Sequence, residues 1–277
     1  MHSYPDDFES VLTLETHGPD TWMGLSPRYP WGTRIYGGQV VAQALWAALQ
    51  TVDPPYRPHS LHAYFIRPGD IDEPVRFEVD RLRDGRSFCT RAVVVRQSGG
   101  AILHLSGSFQ IDEDEAEVQT ARMPLVPPPD SMAPEPTPWP WIMSRRQLPS
   151  YPGAGQAIGW ARIVDELSDD PRIHYCGLAF TSDTFQFASA RSIHPLQVPP
   201  DKHHEAFMGA SLDHAIWFHR PFRADDWHLY DWDCHGLVGA RGMTVGNLFA
   251  PDGTQLATVA QEILLRRRRP KKEKAPA

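Results

Sequence analysis

Cysteine is scarce: Cys89, Cys176 and Cys234 are the three in 277 residues, an odd number without paired spacing. They read as reduced thiols, which excludes a disulfide framework and a cysteine-built zinc site. Long apolar runs are missing too, since none approaches the roughly 20 residues that a membrane-spanning helix needs. The opening segment, Met1 to Asp7, is acidic and lacks the basic-then-apolar order of a secretory signal. A cytoplasmic chain with no membrane span is the expectation. No serine has glycine two places before and two after it, so the nucleophile elbow of α/β-hydrolases is absent. The histidines, His203-His204 among them, show no metal-ligand spacing with acidic or cysteine partners, and no metal is expected.

What is present is the composition of a globular protein, with 41% hydrophobic and 22% charged residues. The length allows one large domain or two small ones. The net charge of −7 is unevenly spread, because residues 266–274 (RRRRPKKEK) carry +6 and leave −13 on the rest. An acidic body argues against a nucleic-acid partner. The basic tail, 267–277, reads as a solvated, disordered end.

Ten of the 27 prolines fall between Pro124 and Pro152, just after the acidic stretch Asp112–Glu117. This marks 113–149 as a Pro-rich linker between an N-terminal half, 1–112, and a C-terminal half, 150–266. The halves resemble each other. SLHAYFIRP (60–68) lies over DHAIWFHRP (213–221), and 91–111 over 241–264, each of the latter a strand, a Gly-containing turn (Gly99-Gly100, Asp252-Gly253) and a second strand. Upstream of each Arg-Pro strand is a helical segment. In the first, from Gly38 to about Gln50, Val41, Ala44, Leu45 and Ala48 recur at helical spacing; the second runs from about Ile173 to Ala190. A helix followed by an antiparallel meander, repeated after a linker, is a duplicated α+β unit, with the two sheets joined edge to edge or closely apposed.

Three polar residues of the second half stand where the pattern expects apolar ones. Asp183 shares a predicted helix face with Cys176, Ala179, Phe180 and Phe187, where a carboxylate must find partners or shift its protonation equilibrium. With Gln186 three residues on, it also has the spacing of a helix cap. Gln261 interrupts the apolar face of Val259, Ile263 and Leu265; an interior glutamine bonded to backbone is the plainer reading. Ser211 opens the strand on one face with Asp213, Ala215 and Trp217, with His214 on the opposite face, and by itself reads as a turn hydroxyl. Under the internal match Ser108 takes the place of Gln261 and Pro58 that of Ser211, which predicts one site per chain and a non-catalytic or substrate-gripping first half. Gly37, Gly38 and Gln39 open the first helix, where free N–H groups could stabilise a developing oxyanion or bind substrate.

These segments, with YGGQVVAQAL (36–45), SLHAYFIRPGD (60–70), LRDGRSF (82–88), SLDHAIWFHRPF (211–222) and ATVAQEILLR (257–266), resemble the acyl-CoA thioesterase II, or TesB-like, family of double-hotdog enzymes. The resemblance covers nearly the whole chain. It implies hydrolysis of acyl-CoA to free fatty acid and CoA, no cofactor, a homo-oligomer, and a water activated by Asp183 in TSDTF, Ser211 in SLDH and Gln261 in AQEI. Because a fold does not fix a reaction, two alternatives stay open. One is a hotdog enoyl-CoA hydratase or dehydratase using an Asp and a His five residues apart, for which Asp169 and His174 are a near match; the other is a non-catalytic acyl-CoA-binding protein.

Overall fold

A computed structural model of the chain describes residues 6–27, 33–135, 137, 141–149 and 152–268. The first half opens with a one-turn helix α1 (Phe8–Val11) and two short strands, β1 (Glu15–Thr16) and β2 (Thr21–Gly24). Helix α2 (Gly37–Leu49) follows. Then come β3 (Arg57–Phe65), β4 (Val75–Asp84), β5 (Phe88–Gln97) and β6 (Gly100–Gln110). Val41, Ala44, Leu45 and Ala48 are fully buried, and so are Ala42 and Ala47 on the remaining faces. A helix apolar nearly all round belongs inside a sheet's concavity. Its two buried amides are satisfied: Gln43 Nε2 donates to Val11 O (2.8 Å) and Leu25 O (3.0 Å), and Gln39 Nε2 to Ser26 Oγ (2.9 Å) and Gln43 Oε1 (3.1 Å).

The second half contains β7 (Met143–Gln147), β8 (Gln156–Ile163), α3 (Pro171–Thr181), α4 (Gln186–Ser192), α5 (His203–Ala206), β9 (Phe207–Ser211) and β10 (Asp213–Phe218). It closes with β11 (His228–Val238), β12 (Arg241–Phe249) and β13 (Gln255–Arg267). Among the described residues all strands belong to one antiparallel sheet. Its order is β1-β2-β4-β5-β6-β3-β10-β13-β12-β11-β8-β7, with β9 also on β13. The halves meet edge to edge at β3 and β10, and the expected α+β double hotdog is what the chain forms. The two Arg-Pro segments matched in the sequence are the strands at this junction. Ser60 lies opposite Trp217 and Tyr64 opposite Asp213, so matching 60 with 213 and 64 with 217 turns each pair into the other. The junction is therefore an internal two-fold contact, self-complementary as in a symmetric dimer.

Three expectations need correction. The linker expected to run to 149 ends earlier, because Met143–Gln147 is a strand paired with β8. The preceding segment is also fastened rather than free: Ala121, Met123, Val126 and Met132 pack on Trp160, Leu229 and Phe249, and Trp160 Nε1 donates to Pro127 O (3.0 Å). The basic tail begins later than expected, since β13 extends to Arg267, and residues 269–277 lie outside the described residues.

The third correction concerns the second helix, which is two helices broken at Ser182–Phe185. The cause lies in the Thr181-Ser182-Asp183-Thr184 run. Short polar side chains compete with the helix for backbone groups: Thr181 Oγ1 donates to Gly177 O (3.0 Å), and Ser182 Oγ lies within reach of Ala179 O (3.1 Å). Phe185 then turns the chain at φ +68°, a conformation bulky residues rarely adopt. It is held there by its packing, with Arg145 over its ring at 5.2 Å and Tyr230 at 5.8 Å. Asp183 thus sits in a break between helices and shares no continuous helix face with Phe187.

Candidate active site

Asp183 is the centre of a converging set of donors. Its Oδ1 accepts from Gln186 Nε2 (2.6 Å), Gln261 Nε2 (2.8 Å) and Ser211 Oγ (3.2 Å), and its Oδ2 from the Gly38 N–H (3.0 Å). It is not the cap of α4, whose N-cap position is Phe185. Asp183, Ser211 and Gln261 are therefore brought together as the sequence suggested. Gln186, noticed only for its capping spacing, joins them, and its buried Oε1 has no partner among the described residues.

The first half reaches into this cluster. Tyr36 OH donates to Asp183 O (2.7 Å) and Phe180 O (3.0 Å), tying the start of α2 to the end of α3. The approach is so close that a Cβ on Gly37 would lie 2.5 Å from Asp183 Oδ2, and one on Gly38 would collide with the carbonyl oxygen of Phe180. Two glycines are needed for this contact. The N-terminal end of α2 then presents its partial positive charge and an orphan N–H to the carboxylate. That occupation corrects one expectation: the Gly38 N–H is engaged by Asp183 and is not available to an oxyanion. The Gln39 side chain is likewise turned to Ser26 and Gln43, away from this cluster. Gly37 remains on the wall of the cleft.

How Ser211 arrives is a matter of register. Ser211 lies opposite Ile263 and Ala215 opposite Ala260, so four steps along β9–β10 match three along β13. The extra residue is a bulge at Leu212–Asp213, which re-aims the side chains that follow. Ser211 consequently shares its face with His214 and Ile216, rather than with Asp213, Ala215 and Trp217 as the unbroken alternation predicted. His214 and Ile216 are fully buried, as are Val259, Gln261 and Ile263 opposite them. Asp213 faces away, its Oδ1 accepting from the Glu262 N–H (2.6 Å) at the bulge.

This brings in His214, which the sequence reading had placed on the other face. Its Nδ1 is 2.7 Å from Gln261 Oε1 and its Nε2 2.8 Å from Ser182 Oγ. Burial pushes Asp183 above the ordinary aspartate range, opposed by His214 when its ring is protonated and by the bonds from Gln261, Ser211 and Gly38. Burial likewise pushes His214 down, opposed by Asp183 and Gln261, so at neutral pH its ring is uncharged. Ser108, the counterpart of Gln261, is bonded instead to His59 Nε2 (2.7 Å).

Beside the cluster is a cleft of about 320 Å³ along the junction of the halves. Gly37 and Ser211 line it, Phe65, Ile102 and Leu103 make apolar wall, and Arg34 is a cation on its border. Among the described residues no group of three or more His, Cys, Asp or Glu is placed to hold a metal ion. None of their helices is long and apolar enough to cross a membrane.

The fold and this cluster define a class: a double hotdog with one carboxylate-centred polar site beside an apolar cleft. Residues 25–110 match the acyl-CoA thioesterase N-terminal domain, and residues 138–264 match the acyl-CoA thioesterase family. Acyl-coenzyme A thioesterase 8 of Rattus norvegicus is 33% identical, over 93% of this chain and 88% of its own. Acyl-CoA thioesterase 2 of Haemophilus influenzae is 34% identical, over 84% and 88%. The crystal structure of acyl-CoA thioesterase II TesB2 from Mycobacterium marinum superposes with a TM-score of 0.81 at 37% identity, covering 97% of this chain and 99% of that one. The chain belongs to the TesB-like acyl-CoA thioesterase family and is a thioester hydrolase.

Proposed function

We propose that this enzyme hydrolyses fatty acyl-CoA thioesters with Asp183 as general base for a water that Ser211 and Gln261 orient. The observation that carries the reading is the meeting of Ser211 Oγ and Gln261 Nε2 on one oxygen of a buried carboxylate beside an apolar cleft. The acyl chain lies in the cleft with its carbonyl carbon at Ser211. Asp183 takes a proton as the water oxygen bonds to that carbon, and the carbonyl electrons move onto oxygen. The N–H of Gly37, which lines the cleft in the first turn of α2 where such groups lack intrahelical acceptors, donates to that oxygen in this reading. Collapse breaks the C–S bond, and Asp183 returns the proton to the CoA sulfur. Positioning supplies much of the effect, because water and carbonyl are held together instead of meeting by diffusion.

The test is release of CoA thiol from saturated acyl-CoA across chain lengths, repeated with Asp183→Asn. Turnover lost in the variant with binding kept supports the reading; near-normal turnover removes Asp183 from its role. A hydratase finds less support. Asp170 caps α3 and pairs with Arg172, Asp169 pairs with Arg223, and His174 Nδ1 accepts the Ala224 N–H (3.2 Å). Tight binding of acyl-CoA without turnover would favour the non-catalytic alternative. The same reading takes the double-hotdog unit as part of a homo-oligomer, supported by the edge strands β1 and β7. A strictly monomeric mass by light scattering at micromolar concentration speaks against that assembly.

A further inference from the structure

We infer that His214 is a positioning residue that sets which end of the Gln261 amide faces Asp183, with Ser182 setting the histidine tautomer. The inference rests on the reading that Asp183 and Gln261 act on the water. Asp183, Gln261, His214 and Ser182 form one buried chain: Oδ1 to Nε2 at 2.8 Å, Oε1 to Nδ1 at 2.7 Å, and Nε2 to Oγ at 2.8 Å. Gln261, His214 and Ser182 are all fully buried, so no bulk water stands in for a missing partner.

Each bond in the chain dictates the next. An amide oxygen only accepts, so the nitrogen of His214 that meets Gln261 Oε1 must carry hydrogen. In a neutral imidazole that leaves Nε2 as an acceptor, and the one hydrogen of the Ser182 hydroxyl goes to it at 2.8 Å in preference to the Ala179 carbonyl oxygen at 3.1 Å. With Oε1 held by His214, Gln261 presents its NH2 to the carboxylate. Without that hold the amide is fixed at its nitrogen end alone, its buried oxygen is left unpaired, and it turns out of line with the water it orients. His214 is not among the residues lining the cleft, and with its ring uncharged its hold on the site is its bond to Gln261.

Two substitutions separate positioning from packing. His214→Asn puts an amide nitrogen close to the place of Nδ1, and His214→Gln puts one close to the place of Nε2. Positioning therefore predicts that His214→Asn keeps most of kcat, while His214→Gln loses about 10- to 100-fold, the scale of one buried hydrogen bond to a charged network. KM stays level in both. If the two lose kcat alike, or the longer glutamine is the better substitute, the role is packing and the inference fails. The second arm repeats both variants in Gln261→Ala. A residue acting through Gln261 has nothing further to lose there, so the fall in kcat should vanish; a fall that persists overturns the inference. Should Gln261→Ala itself leave kcat unchanged, it is the role of Gln261 that fails, a distinguishable result. Ser182→Ala, which keeps the ring, covers the case in which His214 variants do not fold. It should lower kcat several-fold, again only when Gln261 is present, and an unaltered kcat counts against the tautomer argument.

Discussion

The central helices of the two halves start from similar positions in the fold and end in opposite roles. In the first half α2 is unbroken over 13 residues and buried on nearly every side, with its polar side chains bonded inside their own half. In the second half the helix breaks after Thr181, and the break holds Asp183 against β9, β13 and the first turn of α2. The broken helix carries the chemical group, while the intact one supplies a rigid positive end aimed at it. The first half, expected to be non-catalytic or substrate-gripping, also contributes its backbone N–H at Gly38 to the surroundings of the Asp183 carboxylate. One copy has regular packing and the other a broken helix, and the same contrast separates Ser108, bonded to His59, from Gln261, bonded to Asp183.

Replacing the proposed base, Asp183, should have the largest effect. Asp183→Asn should lower kcat by roughly the 10²- to 10⁴-fold of lost general-base catalysis, read as CoA thiol release at saturating substrate. All four partners of Asp183 are donors, and only a carboxylate accepts at both oxygens, so the asparagine amide also sets NH against NH at one of them. Next come the glycines of the intact helix. Gly38→Ala must push α2 off α3, costing about 1–3 kcal/mol of stability as overpacking does, which thermal unfolding measures. Gly37→Ala displaces the carboxylate itself and should cost about 10-fold or more in kcat for a smaller loss of stability, on the scale of one hydrogen bond to a charge. If both alanines are harmless to kcat, the first half does not help to hold the base.

Gln261→Ala should lose about 10- to 100-fold, as expected for one such bond, and should move the acid limb of the pH–rate profile. In the proposed mechanism the active base is the ionised carboxylate. Burial raises the pKa of Asp183, so activity falls away as the pH drops through a value above that of an ordinary aspartate. The Gln261 bond favours the charged form, and removing it should carry the limb to higher pH; a limb that shifts downward contradicts the assignment. The smallest effect belongs to the first-half counterpart. Ser108→Ala should leave kcat within about two-fold, since a substitution distant from a site leaves its transition-state contacts intact, and a larger fall would mean that the first half has chemistry of its own.

Much of this architecture was legible along the chain. The helical spacing of Val41, Ala44, Leu45 and Ala48, the turns at Gly99-Gly100 and Asp252-Gly253, and the repeated Arg-Pro strands are local signals, and each corresponds to an element of the fold. Gln261 was legible because a period of two puts it among apolar residues whatever its neighbours do. Asp183 was found on a partly wrong premise: it is buried, yet the helix face assigned to it does not exist. Four short polar residues in a row were the available sign of the break.

What the sequence by itself determined is therefore the set of elements, the duplication and the polar residues that must be buried, since periodicity and turn chemistry depend only on near neighbours in the chain. The tertiary structure decided which of these residues meet. The bulge at Leu212–Asp213 exists only against the register of β13, and by one residue it moves His214 onto the face of Ser211 and Gln261 and sends Asp213 to the other. The bond from Gly38 to Asp183 spans 145 residues. It depends on how closely two helices from different halves approach, a distance set by packing across the whole molecule, of which a local stretch of sequence carries no record.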